Sequence, residues 1–116
     1  MSSHHRIDYF ELPAKDLAAS KDFYSKAFDW IFSDYGPGYS GFGYPGAERE
    51  AGGISADTDH THETLAILYS DNLEETEKKV RSAGGKIVKP IFSFPGGRRF
   101  HFTDPSGNEL AVWSSK

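Results

Sequence analysis

Two stretches of this chain follow one plan, and a chain built that way has few folds open to it. In the first, Ile7-Asp-Tyr-Phe-Glu-Leu12 is a strand candidate rich in aromatic and branched residues, with both faces expected to be covered, and Pro13 ends it. Asp16 is a good N-cap for a helix from about residue 17 to 28, where Leu17, Ser20, Tyr24, Ala27 and Phe28, with Phe23 beside them, form the inward stripe. From Trp30 to about Ala56, short aromatic runs alternate with Gly36-Pro-Gly38, Gly41, Gly43, Pro45-Gly46 and Gly52-Gly53, which suits three short antiparallel strands. The second stretch repeats this order. Leu65–Tyr69 is a strand, and Asp71 caps a helix with Glu74 in capping-box position and Leu73, Thr76, Val80 and Ala83 as its inward stripe. Gly84-Gly85 stops it, and 86–94, 98–103 and 108–113 supply three strands joined by Pro95-Gly-Gly97 and Asp104-Pro-Ser-Gly107.

The pattern predicts an α+β domain of two βαβββ modules, the first over 6–56 and the second over 64–113, with the polar 57–63 as linker. The other arrangement the order admits is a ferredoxin-like α+β sandwich. At 116 residues the halves are too small to bury separate cores, so 1–116 is expected to fold as one domain. Zero Cys excludes disulfides and thiolate metal sites. With 17 carboxylates against 13 Lys and Arg there is no broad attraction for nucleic acid. No window is apolar enough to cross a bilayer, and the opening Met1-Ser-Ser-His-His-Arg6 lacks a signal-like apolar region, so cytoplasmic residence with small-molecule or protein partners is expected.

Three motifs in order, Asp16-Leu-Ala-Ala-Ser-Lys-Asp-Phe-Tyr24 followed by Phe28-Asp-Trp30, Arg81-Ser-Ala-Gly-Gly85, and Asp104-Pro-Ser-Gly-Asn108, resemble the vicinal oxygen chelate superfamily of glyoxalase I, extradiol dioxygenases and bleomycin-resistance proteins. The resemblance covers about Ile7 to Trp113. It implies a curved, partly open mixed sheet with the helices outside and the ligand site inside, and a homodimer. It also implies a divalent metal in catalytic members, held by one residue from the opening strand of each module and one from the last strand. Counted from the motifs, those positions fall on Tyr9, Leu65 and Ala111, none a credible ligand. A two-residue slip places Glu11 and Glu109 there, two carboxylates without an imidazole. No cofactor is expected.

Alternation along the strands puts Ile7, Tyr9, Glu11, Leu65, Ile67, Tyr69, Arg99, His101, Thr103, Glu109, Ala111 and Trp113 on the ligand-facing side. Aromatic walls with a few charged groups suit a small organic ligand, with Tyr9, Leu65, Ile67, Tyr69, Arg99, Ala111 and Trp113 as its contacts. Glu11, Glu109 and His101 are the acid–base candidates. If the carboxylates approach each other one is poised to carry a proton, whereas an Arg99 pairing with either removes that role. His101 is either a pocket residue or a satisfied structural histidine.

Other polar groups have simpler readings. His60-Thr-His62 reads as linker, and His4-His5 as a flexible end. Glu74-Glu-Thr-Glu-Lys-Lys79 is a solvated helix face with i,i+4 pairs Glu74–Lys78 and Glu75–Lys79. Arg98 and Arg99 point to opposite faces of their strand and make no basic stripe. The expected function is metal-independent binding of a small organic ligand in an aromatic hollow. Two alternatives stand beside it: a glyoxalase-related lyase or isomerase using the carboxylates, and an accessory or regulatory domain.

Overall fold

The repeated plan is the order of elements in the computed structural model, which describes residues 4–56 and 63–116. β1 (Ile7–Pro13), α1 (Leu17–Phe28), β2 (Ile31–Asp34), β3 (Tyr39–Gly43) and β4 (Gly52–Ser55) are followed by β5 (Leu65–Tyr69), α2 (Leu73–Ser82), β6 (Lys86–Phe94), β7 (Gly97–Thr103) and β8 (Glu109–Ser114). This is an α+β chain of two βαβββ modules, a different order from the ferredoxin-like βαββαβ. It divides into two compact units, Tyr9–Leu65 and Met1–Asp8 with Ala66–Lys116. The pair His60 and His62 lies outside the described residues.

In the unit Tyr9–Leu65 the strands run β2-β3-β4-β1, with β4 parallel to β1 and the other pairs antiparallel. The Asp16 carboxylate caps α1, accepting from the Ala19 amide at 3.0 Å. Asp29 ends the helix in a left-handed conformation, φ 61°, which aspartate tolerates better than most residues. The chain thereby turns so that Trp30 stacks on Tyr24 at 4.6 Å and on Phe42 at 4.4 Å, within 9° of parallel in both cases. That ring stack corrects the expected stripe: no residue of α1 is fully buried, and Phe23 and Phe28 are each 57% exposed. The buried apolar groups here are Phe42, Ile54 and Leu65. The expectation that both faces of β1 are covered also fails, because Ile7 and Phe10 are about half exposed.

In the other unit the order is β5-β8-β7-β6, with β5 parallel to β8. Leu73, Phe100 and Val112 form its core, with Leu68, Val80, Ile87, Ile91 and Phe102 packed around them. This is the face α2 covers. The cap of α2 is Asn72, not Asp71: the Asn72 side chain accepts from the Glu75 amide at 3.2 Å, so the expected register was one residue early. Ala83 is the exposed C-cap rather than part of the buried stripe. Glu74 pairs with Arg98 from β7 instead of Lys78, which places Arg98 on the helix side. His4 and His5 are not loose. The His5 amide donates to the Tyr69 carbonyl at 2.7 Å, His4 Nδ1 accepts from the Asp71 amide at 2.9 Å, and His5 Nε2 lies 2.9 Å from the Thr76 hydroxyl. Among the described residues no helix is long and apolar enough to cross a membrane.

Candidate functional site

The face of β5, β8 and β7 turned away from α2 carries the expected residues of this unit. Cross-strand partners share a face, and the register sets Ile67 against Ala111 and Tyr69 against Trp113, then Arg99 against Trp113, His101 against Ala111 and Thr103 against Glu109. Seven of the ten expected site residues therefore come together: Ile67, Tyr69, Arg99, His101, Glu109, Ala111 and Trp113. Tyr9, Glu11 and Leu65 belong to the other unit.

The start of β8 is fixed by the Asp-Pro-Ser-Gly turn. The Asp104 carboxylate accepts from the Ser106 and Asn108 amides and from the Asn108 side chain, each at 2.9 Å, and the Asn108 bonds hold its pKa below the usual carboxylate range. Gly107 takes φ 89°, which a residue with a Cβ resists. Glu109 leaves this turn two residues before Ala111, and its Oε2 lies 2.9 Å from His101 Nδ1. A carboxylate only accepts, so Nδ1 carries the proton of this bond. His101 is fully buried while the Glu109 side chain keeps 30% of its exposure, so the carboxylate is the member a ligand can reach. His101 is both structural and part of the face: it orients Glu109 from beneath.

Around this pair stand rings and cations. Trp113 meets Tyr69 edge-on at 5.0 Å and donates from Nε1 to Asp8 at 3.2 Å. Phe92 lies 5.8 Å from the His101 ring, and the Arg99 guanidinium sits over Phe92 at 5.6 Å and Phe94 at 5.9 Å. Lys89 covers Phe92 at 5.6 Å. Phe92, Phe94 and Lys89 were not among the expected site residues, since no face was assigned along 86–94; β6 shifts register twice, between Ile87 and Lys89 and between Lys89 and Phe92. Each shift inserts a residue and moves side chains to the opposite face. Pro90, which has no amide to give the ladder, was the available signal.

In the other unit, β4 and β3 present Gly53 and Gly41 beside Glu11 of β1. Tyr39 and Glu50 fill the space those glycines leave, for a Cβ on Gly53 would stand 1.9 Å from the Tyr39 hydroxyl and one on Gly41 would stand 2.2 Å from Glu50 Oε2. Tyr39 shares a hydrogen bond with the Tyr9 hydroxyl at 2.8 Å, and the Tyr35 hydroxyl donates to Glu50 at 2.7 Å. Burial pushes the Tyr9 phenol up to about 12, with the Glu50 and Glu11 charges adding to the effect, so it stays protonated at neutral pH and is no base. Glu11 is itself buried.

A divalent metal of the kind the resemblance implies does not fit the counted positions. Leu65 and Ala111 have no donor atom, Tyr9 holds its proton, and among the described residues no three His, Cys, Asp or Glu side chains gather as a metal-holding group.

Residues 6–112 match the model of the Glyoxalase/Bleomycin resistance protein/Dioxygenase superfamily. The anthracycline biosynthesis protein DnrV of Streptomyces peucetius is 28% identical over 90% of this chain, which spans 45% of DnrV's own length. The crystal structure of NAD-dependent benzaldehyde dehydrogenase from Legionella pneumophila superposes with a TM-score of 0.75 at 17% identity, over 93% of this chain and 98% of that one. The Mn(II)-bound glyoxalase from Novosphingobium aromaticivorans gives 0.70 at 22% identity, over 99% of this chain and 40% of that one. The chain belongs to the Glyoxalase/Bleomycin resistance protein/Dioxygenase superfamily.

Proposed function

We propose that this chain binds a small, planar aromatic molecule, without a resident divalent metal, against the face that carries Tyr69, Phe92, Arg99, Glu109 and Trp113. The observation that carries this reading is the setting of the His101–Glu109 pair. An accessible carboxylate is aimed by a buried imidazole at 2.9 Å, with aromatic rings and the Arg99 cation on the same face. Rings supply buried contact area, and the fixed charges orient polar substituents of a ligand. That DnrV serves anthracycline biosynthesis makes fused aromatic rings the first class to try.

The test is a fluorescence titration with an anthracycline and simpler aromatic carboxylates, with and without chelator. Saturable binding that survives chelation and weakens at least about tenfold in Trp113→Ala is expected. Absence of saturable binding across the panel, or binding that needs added Mn or Zn, refutes the reading.

The His101 contact also favours a second reading, a lyase or isomerase in which Glu109 moves a proton of the bound molecule. Turnover lost in Glu109→Gln with ligand affinity retained is its signature. The homodimer implied by the resemblance is part of the proposal and is tested by sedimentation, where a monomer at micromolar concentration rejects it.

A further inference from the structure

The unit Tyr9–Leu65 contains a cluster of different chemistry. Glu50 precedes β4, and its carboxylate rests on the backbone of Gly41, where a Cβ would meet Oε2 at 2.2 Å, Cδ at 2.5 Å and Oε1 at 2.7 Å. The whole carboxylate thus lies flat on a strand that has no side chain there. Its hydrogen-bond donor is the neutral Tyr35 hydroxyl at 2.7 Å, and among the described residues Glu50 has no Lys, Arg or His partner. The phenol rings of Tyr35 and Tyr39 stand 6.5 Å apart, tilted by 45°, and Tyr35 is 61% exposed. Tyr39 is fixed at its far end by the 2.8 Å bond to Tyr9 and lies over Gly53.

We propose that Tyr35, Tyr39 and Glu50 form a binding site for a small organic ammonium group, protonated or quaternary, seated against the phenol rings and the carboxylate above Gly41 and Gly53. Ring faces carry negative electrostatic potential and attract a weakly hydrated cation, and the adjacent carboxylate adds a full charge. An anion is repelled by Glu50. A hard metal ion is a poor occupant, since it demands several oxygen ligands and among the described residues no three His, Cys, Asp or Glu side chains gather here. The site uses residues of a different unit from the His101 face, so it stands or falls independently of the ligand proposed there.

The probe is choline, compared with its neutral carbon isostere, in which a tert-butyl group replaces the trimethylammonium. Amide chemical shifts of Tyr35, Tyr39 and Gly41 are followed by NMR on the full chain. Choline is expected to give saturating shifts at these amides with Kd on the order of millimolar, and the isostere to bind at least about tenfold more weakly. Glu50→Gln, which keeps shape and removes charge, is expected to weaken choline by about tenfold. Gly41→Ala supplies a second variant, because its methyl displaces only the tip of a flexible side chain and so evicts the carboxylate from a folded protein. Equal binding of choline and isostere, undiminished binding in both variants, or no shifts at these amides at tens of millimolar choline overturns the proposal.

Discussion

Replacing Gly52 by Ala should force β1 and β4 apart, while the same change at Gly41 on the neighbouring strand should be nearly silent. Gly52 is the register partner of Phe10 on β1 and of Phe42 on β3. A Cβ there would stand 1.9 Å from the Phe10 carbonyl oxygen, where real Cβ contacts essentially never fall under 3.0 Å, so the backbone of β1 must retreat by at least 1.1 Å. The obstacle is main chain and cannot rotate away. The shift strains the bond from the Phe10 amide to the Ala51 carbonyl, 3.2 Å in the native chain. Overpacking costs about 1–3 kcal/mol and a lost backbone hydrogen bond about 1 more, against a gain of roughly 0.5–1 from a less flexible unfolded chain. The net loss is about 1–3.5 kcal/mol. At about 4 °C per kcal/mol for a chain of this size, the melting temperature should fall by about 4–14 °C. At Gly41 the atoms in the way belong to the Glu50 carboxylate, which swings into water. The lost Tyr35 bond and the backbone gain then roughly cancel. Thermal melts followed by circular dichroism decide it: a Gly52→Ala protein as stable as the parent, or a Gly41→Ala protein destabilised to the same extent, refutes the reasoning.

Phe100→Ala removes the largest fully buried side chain from the core under α2 and should cost about 3–5 kcal/mol in denaturant unfolding; a loss below about 1 would mean the core is not where it is described. Asn72→Ala should cost about 1 kcal/mol, more than Asp71→Ala, because Asn72 and not Asp71 satisfies the Glu75 amide; the reverse order in thermal melts would restore the sequence-based cap. The raised pKa of Tyr9 means the folded chain holds that proton more tightly than the unfolded one. Its contribution is therefore complete below pH 10.0 and is lost as pH rises from there through about 12. Tyr9→Phe should flatten the fall of stability across that window, and an unchanged alkaline profile would count against a desolvated phenol.

What was legible in the sequence was periodic. β5 and β6 fall where alternation and the punctuating glycines put them, because Leu65–Tyr69 is bounded by turn residues and Gly84-Gly85 can only end a helix. Alternation also placed Arg99, His101, Ala111 and Trp113 on one face, since β7 and β8 pair without a shift over that span. The failures arise where periodicity is broken or replaced. β6 shifts register on either side of Lys89, so plain alternation along 86–94 does not set Lys89 and Phe92 on one face. Helix α1 is held by a Trp30 ring that follows it, which a helical-wheel count over 17–28 cannot contain. The Tyr35–Glu50 contact joins residues from separate loops, and loop residues carry no periodic signal.

The two modules can be aligned through their helix caps, and the alignment explains why their corresponding sheet faces differ in chemistry. Glu11 stands five residues before the cap Asp16, as Ile67 stands five before the cap Asn72. Following the register outward, the row Glu11–Gly53–Gly41 corresponds to Ile67–Ala111–His101. In both rows a glutamate from just before or at the start of the last strand comes to rest on the residue that the third strand contributes to the row. Where that residue is His101, the carboxylate of Glu109 finds a ring nitrogen at 2.9 Å and is oriented by it. Where it is Gly41, the carboxylate of Glu50 sinks onto bare backbone and takes its hydrogen bond from Tyr35. One position, occupied by imidazole or by hydrogen, thus sets whether the same plan yields an aimed carboxylate or one laid flat beneath phenol rings. Removing the imidazole tests this directly: His101→Gly should free Glu109 to move without disturbing Glu50, and a Glu109 signal unchanged by that substitution would show that the histidine does not position it.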